Sequence, residues 1–82
     1  KNIEEALAIF EDCAIKRGMA IDEGHYKNVN KNFTKAMRIA QYLYNQNSLE
    51  LLEKYLDDEN PWLKLITAYF YCLYAQKNVY QY

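Results

Sequence analysis

Residues 60–75 read Asn60-Pro61-Trp62-Leu63-Lys64-Leu65-Ile66-Thr67-Ala68-Tyr69-Phe70-Tyr71-Cys72-Leu73-Tyr74-Ala75. This stretch decides the fold. Pro61 suits the first position of a helix, where its missing N–H has no partner to lose. Asn60 in front of it is a good acceptor for the free N–H groups of the first turn. From Trp62 to Tyr74 only Lys64 is charged. A helix that is apolar nearly all round is expected to be covered on most sides. The run is too short and too rich in tyrosine for a bilayer span, which takes about 20 apolar residues. It therefore reads as the central helix of a small helical domain, with Trp62, Leu65, Ile66, Tyr69 and Leu73 expected to face the other helices.

The segments before it repeat the helical spacing. Asn2 and Glu5 have the separation of a capping box. Ile3, Leu7, Phe10, Ala14 and Ile21 then recur at helical intervals, widened by Ala6, Cys13 and Ala20. Gly18 inside this stripe costs about 1 kcal/mol against Ala and suggests a close helix–helix contact or a small kink. Gly24 is placed to end the helix in a left-handed conformation. A second helix is expected from Tyr26 to Asn45, with Tyr26, Val29, Phe33, Ala36, Met37, Ala40, Leu43 and Tyr44 inward. Asn45-Gln46-Asn47 is a turn, and Ser48 is placed to cap a third, shorter helix carrying Leu49, Leu52 and Leu56. Gln76-Lys77-Asn78 reads as another turn, and Val79-Tyr80-Gln81-Tyr82 as the opening of a further element, so the sequence is expected to continue.

No stretch alternates with period two. The 82 residues are expected to form a single all-α domain, a short α-solenoid or an irregular bundle of four to five helices. The helix pairs would span about 3–45 and 48–75. A domain this small buries only about 60% of its unfolded surface, so its stability margin is narrow.

Charge is segregated along the chain although the net value is −1. Residues 25–47 hold four bases and no acid, while residues 48–60 hold five acids and one base. Lys27, Lys31, Lys35 and Arg38 form a stripe on the second helix that could follow a phosphate backbone or a protein. The near-neutral whole argues against nucleic acid. The acids Glu50, Glu53, Asp57, Asp58 and Glu59, with Tyr55 among them, form the preferred partner-binding surface. Such a surface suits a basic protein, because charge complementarity speeds association. Nine tyrosines are too many phenols for one small core, and tyrosine is enriched where a surface is half apolar and half polar.

Catalytic signals are missing from the sequence. His25 stands alone beside Asp22 and Glu23, a poor ligand set for a metal. No CxxC pair and no glycine-rich phosphate loop occurs. Neither a metal nor a cofactor is expected. Cys13 and Cys72 both lie on apolar stretches and are expected to be buried, reduced thiols. No charged stretch leading into an apolar run marks a secretory signal, so a cytosolic setting is expected.

Residues 49–73 resemble a HEAT repeat. Leucines lie on the first helix, an Asp-rich turn ends in Pro61, Leu63-Lys64 stand as the aliphatic–basic pair, and Thr67-Ala68 as the small pair of the second helix. The run from Gly18 to Asn30 resembles the corner of a small bacterial HEAT-like family. Some similarity extends to helical immunity proteins of bacterial toxin systems. The HEAT-like family brings no activity with it; a protein-binding role is expected, at its sharpest an immunity protein that covers the active cleft of a basic toxin nuclease. A structural or scaffolding repeat is the alternative, and an enzyme is not expected.

Overall fold

The computed structural model describes residues 2–80, with side chains through Tyr74. Four helices follow one another: α1 (Ile3–Glu23), α2 (Tyr26–Asn45), a 3₁₀ helix (Leu49–Asp57) and α3 (Pro61–Tyr80). No strand occurs among the described residues. The chain is all-α. The 76–78 turn expected from sequence is absent, because α3 continues through it to Tyr80. Residues 81 and 82 lie outside the described part.

Helix ends are fixed by the expected chemistry in most places. The Glu5 N–H donates to the Asn2 side chain at 2.7 Å. Gly24 closes α1 at φ 76°, a conformation that costs glycine no Cβ clash. The N–H groups of Trp62 and Leu63 donate to the Asn60 side-chain oxygen at 2.9 and 3.2 Å, so Asn60 caps α3. Asn47 takes the left-handed conformation at φ 56° and turns the chain after α2. Ser48 is a correction. Its hydroxyl donates to the Gln46 carbonyl instead of capping the next helix.

Packing falls into two pairs. α1 lies chiefly against α2, and α3 chiefly against the 3₁₀ helix, with α1 and α3 in contact between them. Phe10 of α1 sits at the junction. Its ring lies 5.9 Å from that of Tyr55 and 6.3 Å from that of Phe70. Phe33 of α2 reaches Phe70 at 5.3 Å, so aromatic contacts tie all four helices together. Such pairs contribute about 0.5–1.5 kcal/mol each beyond their buried area.

Three inward faces differ from the sequence expectation. On α2, Ile39 is buried while Tyr26 and Met37 are exposed, so the inner stripe is Ala36, Ile39, Ala40 and Leu43. On α3 the buried stripe is Leu63, Ile66, Thr67, Phe70 and Tyr74. Leu65, Tyr69 and Leu73, expected inside, point outward. The third difference follows from pitch. A 3₁₀ helix has three residues per turn, so residues three apart share an edge. Leu49, Leu52 and Tyr55 therefore line the inner edge, and Tyr55 is buried at 3% exposure.

Candidate protein-binding surface

The acidic surface is split by this 3₁₀ geometry. Glu50 and Glu53 share one edge and are exposed. Asp57 lies on another edge with Lys54. Glu59 is exposed in the following turn, while Asp58 is half-buried and accepts the Asn60 N–H at 2.8 Å. The Tyr71 hydroxyl donates to Glu53 at 2.6 Å and its pKa is raised by that bond. No salt bridge involves any of the five acids among the described residues. Tyr55 does not belong to this surface. It is in the core, where it donates to Glu11 at 2.8 Å, and burial pushes its phenol pKa well up.

The basic stripe is exposed throughout, but the structure divides it. Lys31 and Lys35 line a groove of about 310 Å³ between α1 and α2, together with Lys16, Asn28 and Asn32. Lys35 and Arg38 border a second hollow with Asp12 and Cys13. Lys16 is already bridged to Asp12 at 3.0 Å. Lys27 borders neither hollow. His25 lies 3.7 Å from Glu23 with both side chains exposed.

The surface that sequence reasoning missed is the outer face of α3. Leu65 is 57% exposed, Tyr69 53% and Leu73 36%. With Ala68 and Cys72 they line a shallow apolar groove. Cys72 is exposed, which corrects the expected buried thiol, whereas Cys13 is buried and its pKa is raised by burial. The groove continues into a cavity of about 370 Å³ bounded by Arg17, Phe33, Leu65, Ile66 and Tyr69. The Arg17 guanidinium stands 5.4 Å from the Phe33 ring centroid, in cation–π range. Its Nε is buried without an acceptor, and no carboxylate pairs with it among the described residues.

One signal for this face was present in the sequence. From Trp62 to Tyr74 α3 is apolar nearly all round, and the described residues supply three other helices to cover it. Tyr69 and Tyr71, about 200° apart on a helix, could not both reach one core.

Comparison with protein-family models, curated proteins and solved structures gives no match. No described helix is long and apolar enough to cross a membrane.

Proposed function

We propose that this chain is a protein-binding module that docks its partner on the outer face of α3. One observation carries the reading: α3 has two apolar faces, and only one is consumed by the core. Leu65, Tyr69 and Leu73 recur at intervals of four, the spacing by which one helix meets another. Ala68 between them lets a second backbone come close. Tyrosine and arginine together at the edge are the residue types enriched where binding energy concentrates. The role is binding and not catalysis, and a cytosolic setting suits the two free cysteines.

The test is site-specific photo-crosslinking in the host cell. A photoreactive residue at position 65 or 69 is expected to give one discrete adduct, and the same residue at exposed position 30 none. The adduct partner, purified, should bind the wild-type domain in calorimetry and lose at least tenfold affinity for Leu65→Glu. Adducts that form at position 53 or 57 instead would move the interface to the acidic surface.

The exposed acids Glu50, Glu53, Asp57 and Glu59, none of them in a salt bridge among the described residues, favour a second reading, an immunity protein that covers the basic cleft of a toxin nuclease. Its test is co-expression with the product of the adjacent gene. Reversal of Glu50, Glu53 and Asp57 to Lys should then abolish protection while helicity is unchanged. Equal survival with the triple variant rejects this reading.

A further inference from the structure

Arg17 lies where the outer face of α3 meets α1 and α2. Three observations about it converge. Among the described residues no carboxylate pairs with its charge, and its Nε is shielded from water with no acceptor. Its guanidinium is held against the Phe33 ring, which limits its rotamers and keeps the fork in place. It borders a cavity whose other walls are Phe33, Leu65, Ile66 and Tyr69. At about 370 Å³ that cavity is at the small end of ligand-pocket sizes.

An occupant of this cavity must bring an apolar group and an anion within one residue's reach of each other. Within a polypeptide, a C-terminal apolar residue does so, because its side chain and its carboxylate share one Cα. We propose that the cavity captures the C-terminus of a partner protein, with the last apolar side chain between Phe33, Leu65 and Tyr69 and the terminal carboxylate on the Arg17 guanidinium. Arginine suits this work, since the two terminal nitrogens of its planar fork, beyond the shielded Nε, can hold a carboxylate through two parallel hydrogen bonds. The upstream residues of the partner then run along the groove past Ala68 and Leu73. The inference rests on the α3 docking surface proposed above and specifies its anchor.

The probe is the hexapeptide Gly-Ser-Gly-Ser-Leu-Phe, titrated into the ¹⁵N-labelled full chain as the free acid and as the C-terminal amide. The acid is expected to shift the Arg17 Nε–Hε signal and the amides of Phe33, Leu65 and Tyr69 saturably. The amide should bind at least tenfold more weakly. Arg17→Gln should lower the acid to the level of the amide, and Arg17→Lys should fall between them. Circular dichroism confirms that each variant is folded. Tyr69→Ser should weaken both peptide forms. Acid and amide binding alike, in wild type and Arg17→Gln, would overturn the anchor and leave the α3 docking surface standing if crosslinks at positions 65 and 69 persist. Binding of 3-phenylpropionate as tight as that of the peptide would make this a site for small acids and overturn the proposal. So would the absence of any shift up to millimolar peptide, and loss of the crosslinks as well would remove the docking surface with it.

Discussion

The Trp62 side chain fills the space that a Cβ on Gly18 would take. A Cβ built there would lie 2.7 Å from the Trp62 Cβ and closer still to two indole carbons. Gly18 is buried in the C-terminal third of α1, and Trp62 is the second residue of α3. The missing side chain of one is therefore the seat of the other, and the seat fixes where α3 begins against α1.

Gly18→Ala tests this. In a free helix the change would gain about 1 kcal/mol. Here the obstructing atoms are next to the backbone of α3, so relief requires the helix to move. Overpacking of this kind typically costs about 1–3 kcal/mol, and we expect net destabilisation. The sign should reverse in a Trp62→Ala background, where Gly18→Ala should be neutral or stabilising. Denaturant midpoints of the four-variant cycle check it, and equal effects in both backgrounds would sink the idea.

Thr67 is fully buried, and its hydroxyl has no hydrogen-bond partner. An unsatisfied buried polar group costs about 1–3 kcal/mol. Thr67→Val keeps the shape and removes the hydroxyl, so the variant should be more stable by about 1 kcal/mol in a thermal melt. A lower melting temperature would mean that the hydroxyl finds a partner in solution.

Alkaline pH should weaken the fold through Tyr55. Burial first, and then the bond to Glu11, raise its pKa above the usual phenol value. The folded state thus favours the neutral phenol. Stability is complete below about pH 10, where the unfolded phenol is also neutral, and falls as pH rises further until folded Tyr55 ionises. The raised thiol of Cys13 acts in the same direction. Urea midpoints between about pH 9 and pH 12 should decline, and Tyr55→Phe should shrink the decline. An unchanged slope in that variant would assign the effect to other groups.

The thiols should separate kinetically. Cys72 is exposed on α3, and Cys13 is buried with a raised pKa. A disulfide reagent at neutral pH should modify one thiol per chain quickly and the second only on unfolding. Cys72→Ser should remove the fast phase. Two fast equivalents in the native protein would contradict the burial of Cys13.

Much of this architecture was legible from residues alone. Asn2, Gly24, Asn60 and Pro61 mark helix ends by local chemistry, and local chemistry survives into the fold. Gly18 pointed to a close approach or a kink, and the choice between them, with Trp62 as the partner, could be made only in three dimensions. What stayed hidden was phase. On α3 the stripes Leu63-Ile66-Phe70-Tyr74 and Leu65-Tyr69-Leu73 are comparably apolar, so spacing has two solutions. The choice falls to tertiary contacts, here Phe10 against Phe70 and Trp62 against Gly18. On the third helix the error was one of pitch. A period of 3.6 pairs Leu52 with Leu56, whereas a period of three pairs Leu52 with Tyr55 and withdraws that tyrosine from the acidic surface. Arg17 gave no sequence signal, because its isolation from carboxylates depends on which helices surround it.

The two faces of α3 can be told apart by adjacent substitutions. Ile66 is buried against the core and Leu65 beside it is more than half exposed. Ile66→Ala removes methyl groups from a packed interior and should cost about 2–5 kcal/mol, a large share of the reserve of so small a domain. Leu65→Ala removes groups that already touch water, and its effect on stability should stay within about 0.5 kcal/mol. Partner binding is compared with a core site that lines neither hollow on α3. Leu65→Ala weakens capture of the crosslinked partner, whereas the fraction of Leu52→Ala chains that remains folded binds as tightly as wild type, because Leu52 is fully buried away from that face. Equal losses of stability from both substitutions would place Leu65 in the core, and the outer face of α3 would no longer be a candidate for docking.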